Sequence, residues 1–486
     1  MAEKFSRRQF ASLAGLSVAA LAAGPLRAQD SGGLSRGAAS FPSGFIWGTA
    51  TSAYQIEGAV KEDGRGPSIW DVFSHTPGKI ADRSNADRAN DHYHRYKEDV
   101  GLIRDLGARA YRFSIAWPRV FPEGKGKPNP KGLDFYNRLL DELLASGIEP
   151  FATLYHWDLP QALQDRVGGW QSVETSKAFA DYAGYVAERL SDRVKSFFTV
   201  NEAGRFVNFG YGWGIDAPGL KLAPALLNQV RHNVALGHGL AVQAIRAKAR
   251  PGTRVGLAEN IAACLPAIDT PENIAATEIA TRELNAGLLN VILTGQYTEH
   301  FLAYAGKDAP KYTADELRII GSPIDFVGLN IYAPQYYIVA SDKVPGFTVL
   351  PFPSSFPRMN SDWLRIGPET AYWVPRIAAK IWNTGTIYIS ENGASADDKV
   401  SPDGHIYDLD RIMFLRNYLV QLQRAITDGA PVRGYFLWSL MDNFEWIYGF
   451  GKRFGVYRVD FDTLVRTPKL SVAFYRNVIA RNAVEA

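Results

Sequence analysis

Val194-Lys195-Ser196-Phe197-Phe198-Thr199-Val200-Asn201-Glu202 is a short apolar run that ends abruptly in an amide and a carboxylic acid. Its length and its aromatic and β-branched content read as a strand. A second stretch repeats the arrangement: Ile387-Tyr388-Ile389-Ser390 leads directly to Glu391-Asn392-Gly393. Each glutamate is a lone acid leaving an apolar strand. A carboxylate there is costly unless it is hydrogen-bonded or charge-paired.

Outward from these two stretches the chain alternates. Strands are read at 45–54, 110–117, 151–157, 194–200, 254–259, 324–330, 386–390 and 432–440. Helices follow at 92–106, 133–145, 173–190, a long segment ending near 248, then 275–293, 372–382, 409–427 and 470–480. In the first helix Tyr93, Tyr96, Val100 and Ile103 recur at helical spacing. Strands that each precede a helix fit one closed parallel barrel better than an open sheet. The expected fold is α/β, a single (β/α)8 TIM barrel with long βα loops. Chemistry in such a barrel sits at the C-terminal ends of the strands. His156 and Trp157 end the third strand, Asn201 and Glu202 the fourth, Asn330 the sixth, Glu391 the seventh and Trp438 the eighth. Polar residues end strands in many proteins, so the argument rests on their joint placement. Two acids at facing strand ends are the equipment of glycoside hydrolysis.

The 486 residues are 46% hydrophobic, enough for a large core, and no composition break divides them. With 53 basic against 50 acidic residues the net charge is +3, without the basic excess of a nucleic-acid binder. Aromatic residues, 12% of the chain, often stand beside Gly and Pro; most read as core, and some suit the flat face of a sugar. The single cysteine, Cys264, permits no intrachain disulfide and reads as a small buried hydrophobe.

The N-terminus is a different text. Ser6-Arg7-Arg8-Gln9-Phe10 precedes an apolar run from Ala11 to Ala23 and then Pro25-Leu26-Arg27-Ala28. A basic start, a short apolar middle and a small residue at the end describe a secretory signal. The paired arginines resemble a twin-arginine export signal, with cleavage expected after Ala28. The run is too short and too rich in Ala and Gly for a membrane span, so no stable membrane anchor is expected. An uncleaved anchor and a cytoplasmic tail are the competing readings. The expected organisation is a signal at 1–28, a flexible spacer at 29–40 and a catalytic barrel at 41–486, exported to the periplasm or secreted by the export machinery.

Several long strings then make a resemblance specific. Phe41-Pro42-Ser43-Gly44-Phe45-Ile46-Trp47-Gly48-Thr49-Ala50-Thr51-Ser52-Ala53-Tyr54-Gln55-Ile56-Glu57-Gly58 opens the series, followed by Tyr111-Arg112-Phe113-Ser114. Tyr155-His156-Trp157-Asp158-Leu159-Pro160 and Trp438-Ser439-Leu440-Met441-Asp442-Asn443-Phe444-Glu445-Trp446 continue it. Over 41–486 the chain resembles glycoside hydrolase family 1. The resemblance implies a retaining β-glycosidase, most readily a β-glucosidase, without cofactor or metal, acting on a β-glucoside or oligosaccharide. It implies Glu391 as nucleophile and Glu202 as acid/base. Arg112 would stand beside the nucleophile, Asn201 on the sugar 2-hydroxyl, and Tyr332 against Glu391. It implies a sugar pocket of Gln55, His156, Trp157, Asn330, Trp438, Glu445 and Trp446, with Trp363 on the aglycone side. A carboxylate at Glu445 suits a free 6-hydroxyl and would repel a 6-phosphate.

The sequence departs from the family at Ala203, where Pro usually follows Asn-Glu, and continues unusually through Gly204-Arg205. Ser390 stands for the commoner Thr, and Ile331 for a Tyr. The same glutamates would also serve a transglycosylase. A non-catalytic sugar-binding protein would have lost one of them. A metal-dependent hydrolase is disfavoured, because His92 and His94 sit at a helix start, two residues apart on divergent faces.

Overall fold

A computed structural model describes residues 39–485. The signal reading at 1–28 and the spacer up to residue 38 lie outside them. The last two residues of the expected spacer are ordered: Ala39–Ser40 pairs antiparallel with Ala483–Val484.

Eight strands close a parallel barrel. In chain order they are β1 (Ile46–Ala50), β2 (Ala110–Ser114), β3 (Glu149–Tyr155), β4 (Ser196–Asn201), β5 (Arg254–Glu259), β6 (Phe326–Asn330), β7 (Ile387–Asn392) and β8 (Val432–Trp438). Each pairs with its sequence neighbours, and β8 closes on β1. The main outer helices are α1 (His92–Leu106), α2 (Pro130–Ala145), α3 (Val173–Leu190), α4 (Pro224–Lys248), α5 (Pro271–Leu284), α6 (Thr370–Trp382), α7 (Leu409–Thr427) and α8 (Leu470–Arg481). The expected (β/α)8 barrel is the observed one.

Local chemistry sets the ends of the helices. Proline occupies the first turn of α2, α4 and α5, where its missing N–H costs nothing. Ser172 and Thr270 cap α3 and α5 by accepting backbone N–H bonds. Along α2, Leu133, Tyr136, Leu140 and Leu143 face the barrel, while Asp134 and Arg138 face water.

The barrel interior is filled by rings from several strands. Phe151 meets Phe436 at 4.9 Å and Tyr388 at 5.6 Å, and Phe198 meets Phe326 at 4.9 Å. Gly48 makes room for them: a Cβ there would lie 2.6 Å from the Phe436 ring. The barrel is therefore a packed core, and the cavity lies above it at the strand ends.

Three boundaries differ from expectation for one reason. The runs at 45–54, 110–117 and 432–440 stay apolar past the point where the backbone leaves the sheet. Ala53–Ile56 and Trp117–Val120 are short helices instead. The helix expected at 275–293 is α5 followed by a wide turn, Ala286–Asn290, and a short helix, Val291–Thr294. A small sheet covers part of the β5 and β6 loops: Cys264–Pro266 pairs parallel with Tyr336–Ala340, which pairs antiparallel with Phe347–Leu350. Cys264 is buried there, and burial pushes its thiol up to about 12. Among the described residues no helix is long and apolar enough to cross a membrane.

Candidate active site

A cavity of about 1010 Å³ opens at the C-terminal mouth of the barrel. Glu202 and Glu391 both line it, with His156, Trp157, Asn201 and Tyr332. Trp363, Trp438, Glu445 and Trp446 line it as well.

Glu391 is held on both oxygens. The Arg112 guanidinium donates to Oε1 at 2.5 Å, and the Tyr332 hydroxyl donates to Oε2 at 2.7 Å. Burial and the nearby carboxylates hold the Tyr332 phenol well above its ordinary value, so it remains a donor. Arg112 also donates to the Asn201 amide oxygen at 2.6 Å and to the Ser390 carbonyl. Such buried, charge-assisted bonds keep Glu391 aimed into the cavity. Next to it a Cβ on Gly393 would lie 1.7 Å from the Trp438 carbonyl oxygen, so only glycine lets these two strand ends approach.

Glu202 has a different environment. Burial, and after it the charge of Glu391, push its carboxyl up to about 7, against smaller opposing effects of Asn330, Arg205 and Arg112. The Asn330 amide nitrogen donates to Glu202 Oε1 at 2.7 Å and to Asn201 Oδ1 at 3.0 Å. The Asn330 oxygen accepts from the Ser390 hydroxyl at 2.7 Å, so the Ser390 substitution keeps the needed donor. Glu202 is thus poised to carry a proton, while Glu391 is gripped by a cation and a phenol, a difference of surroundings that suits acid/base chemistry.

His156 is neutral by circumstance: burial first, and then the Arg112 charge, hold its imidazole well below its ordinary value. The Asn201 amide donates to Nε2 at 3.1 Å, which leaves the proton on Nδ1, a buried atom without a partner among the described residues. Trp157 donates its indole N–H to the Asn201 carbonyl at 3.0 Å, and its ring packs 4.4 Å from Trp446. Glu202, Trp157 and Trp446 all have left-handed backbone, with φ of 49°, 77° and 52°. Non-glycine residues hold that conformation at a cost of about 1–2 kcal/mol each, which the surrounding packing must offset. Trp363 is half-buried at the rim, edge-on to Tyr332 and stacked 6.2 Å from Phe454.

Three sequence-predicted residues are buried and do not line the cavity. They are Arg112, Asn330 and Gln55. Gln55 donates to the Asn443 oxygen at 3.0 Å, the Phe444 carbonyl at 3.0 Å and Glu445 at 3.4 Å. It anchors the loop that presents Glu445. Burial first, then Glu391 and Glu202, push Glu445 up to about 8 against the opposing charge of Arg205.

Sequence reading missed Glu259, the last residue of β5. It is buried, and its two oxygens accept from the backbone N–H groups of Ala203 at 2.8 Å and Gly204 at 3.0 Å. Its signal lay in the unusual Ala203: a proline there would have no N–H to give. Burial, opposed by the Gly204 N–H and reinforced by Glu202, pushes Glu259 up to about 8. Arg205, also from the unusual segment, lies over the Phe209 ring at 3.8 Å with Asp216 at 3.4 Å. His92 bonds the buried Asp99 at 2.8 Å, and His94 faces solvent between Asp91 and Glu62.

This geometry has close counterparts. The family model for glycosyl hydrolase family 1 matches residues 38–484. β-Glucosidase A of Acetivibrio thermocellus is 44% identical over 446 residues, covering 91% of this chain and 99% of that protein. β-Glucosidase A of Thermotoga maritima is 43% identical over 446 residues, covering 92% and 99%. A solved family 1 β-glucosidase from T. maritima superposes with a TM-score of 0.84 at 41% identity, covering 92% of this chain and 100% of that one. The same T. maritima enzyme has been solved with glucoimidazole, at the same TM-score of 0.84. With both glutamates and the residues that hold them in place, and with the match running from strand pairing at Ala39 to the last helix, this chain belongs to glycosyl hydrolase family 1.

Proposed function

We infer that the protein is a retaining β-glucosidase that releases terminal β-D-glucosyl residues by double displacement. The observation that carries this reading is the asymmetry of the two carboxyls: Glu391 fixed by Arg112 and Tyr332, Glu202 raised to about 7. Glu391 attacks the anomeric carbon while Glu202 gives its proton to the leaving oxygen. The product is a glycosyl ester on Glu391. Esterification removes the Glu391 charge, one of the causes that raise Glu202. Glu202 thereby becomes a better-placed base, takes a proton from water, and the water attacks the anomeric carbon from the side the aglycone left. Two inversions give net retention.

The neutral His156, with its free Nδ1–H, supplies a hydroxyl donor beside Asn201. The Trp438 and Trp446 rings give apolar faces for a pyranose. Relatives named β-glucosidase, and a neighbour solved with glucoimidazole, support glucose as the sugar. The test is NMR of the first product from an aryl β-glucoside. β-Glucose as the initial anomer supports the reading; α-glucose would overturn it.

We further propose export through a twin-arginine-type signal, with the signal at 1–28 and the enzyme acting in the periplasm or outside the cell. The Arg7-Arg8 pair, the following apolar run, and a lone cysteine that needs no oxidative folding support it. The family match begins at residue 38, which leaves the N-terminal segment outside the catalytic unit. A Lys pair at Arg7 and Arg8 should trap full-length chain in the cytoplasm. Unchanged processing and location would count against this signal.

A further inference from the structure

The cavity does not stop at the sugar site. A side arm runs along the wide turn Val207–Trp213 and the first turns of α4, past the Phe209 and Trp213 rings. Arg231 of α4 lines this arm. Its guanidinium is held by two amide oxygens, those of Asn228 and of Asn208, the latter at 2.5 Å. These bonds use two of the five N–H donors an arginine offers. Among the described residues no carboxylate pairs with it. Glu283 and Asp308 line the same arm without reaching it, and Glu283 accepts instead from the Thr298 hydroxyl at 2.7 Å.

A half-buried cation held only by neutral groups is unusual, because desolvation of the charge is not offset by an opposite charge. Burial lowers the Arg231 guanidinium to about 10, the direction expected of such a cation. Its place is defined by packing: a Cβ on Gly287 would lie 3.4 Å from Arg231 Cδ, so the stem is pinned against the Ala286–Asn290 turn. Arg205, on the same wall, is paired with Asp216 at 3.4 Å and sits between Arg231's holder Asn208 and Glu202 in the chain. On the same arm, Trp213 is 55% exposed and packs 4.6 Å from Phe209, which gives the arm an apolar face.

We propose that this arm is an anion subsite for the aglycone, in which Arg231 binds a carboxylate carried on a ring whose apolar face lies against Phe209 and Trp213. The inference rests on the β-glucosidase reading and deepens it by naming the aglycone class. The carrier is an aromatic acid or a uronic acid, since both present a carboxylate on a ring with an apolar face. Arginine recognises carboxylate geometry through parallel N–H donors, and such bonds are among the stronger ones.

The test compares kcat/KM for meta-carboxyphenyl β-glucoside and for its methyl ester, in the unaltered enzyme and in Arg231→Gln. The ratio of the two substrates, compared between enzymes, cancels the difference in leaving group. The subsite predicts a ratio that falls about tenfold in Arg231→Gln, is partly kept in Arg231→Lys, and falls with added NaCl in the unaltered enzyme. A ratio equal in all three enzymes overturns it. Should Arg231→Gln fail to fold, Arg231→Lys and the salt dependence decide alone. A glucosyl-β-1,4-glucuronate arm separates the sources: loss confined to the aryl acid assigns an aromatic acid, and loss confined to the disaccharide assigns a uronate. Failure of the neutral ester to turn over at all would count against the glucosidase reading rather than against the subsite.

Discussion

Arg112 on β2 and Glu391 on β7 stand 279 residues apart in the chain, yet the guanidinium Nη1 lies 2.5 Å from the carboxylate Oε1. The pair spans the barrel mouth, and the same guanidinium reaches Asn201 with its other arm. One cation thus orients the nucleophile and the group beside the acid at once.

Replacing that cation should disable chemistry more than binding. Arg112→Met leaves Glu391 buried without its charge partner and Asn201 without its donor. We expect kcat to fall about 10²-fold or more, as for loss of a preorganised electrostatic contact. Steady-state kinetics on an aryl β-glucoside check this. A variant whose KM rises at unchanged kcat would show that Arg112 serves only binding.

The raised Glu202 carboxyl fixes the alkaline side of the pH profile. The active form carries the proton, so activity is present below about 7 and is lost as pH rises through it. kcat/KM for a poor leaving group should fall above that pH. In Glu202→Ala the same limb should vanish, and the rate should drop about 10²–10⁴-fold for poor leaving groups while good ones suffer far less. Equal losses across leaving groups would argue against Glu202 as the acid.

The barrel and both glutamates were legible because they announce themselves locally. β5 at Arg254–Glu259 begins and ends where its apolar run does. The apolar run Phe45–Tyr54 outlasts its strand because Tyr54 and Gln55 remain buried after the sheet has ended. The sheet of Cys264–Pro266 and Tyr336–Ala340 joins segments about seventy residues apart, and no local pattern encodes that pairing. Glu259 carries no local signal of its own, since its task depends on N–H groups from another loop. Gln55, which the resemblance puts on the sugar, also grips the Glu445 loop, a contact that depends on the direction of its amide and that no local pattern encodes.

Ala203 and Glu259 form a matched pair. Ala203→Pro removes the N–H that donates to Glu259 at 2.8 Å and leaves a buried carboxyl oxygen unpaired. We expect it to cost about 1–3 kcal/mol of stability. Glu259→Leu in the same chain should restore part of that loss, because the unpaired oxygen is gone. Thermal melts of the single and double variants check this. Additive losses in the double variant would show that the two residues are independent.

Far from the substrate, Arg411 is fully buried between Asp398 and Asp408, and Lys469 bridges Asp398 at 2.6 Å and Asp442 at 2.7 Å. This cluster ties α7 and α8 to the loops after β7 and β8. Arg411→Leu leaves Asp408 without a cation and Asp398 with Lys469 alone, and should destabilise the fold by about 3–5 kcal/mol. Denaturant unfolding reads it out. A loss under about 1 kcal/mol would mean that Lys469 alone neutralises the cluster.

The most direct test of the account is covalent trapping. A 2-deoxy-2-fluoro-β-glucoside with a good leaving group should inactivate the enzyme as the glycosyl ester accumulates. Mass spectrometry of the digested protein should then find the sugar on Glu391, within the peptide that carries Ile387-Tyr388-Ile389-Ser390-Glu391-Asn392-Gly393. A label on Glu202, Glu445 or Glu259, or inactivation without any covalent adduct, would contradict the assignment of the nucleophile.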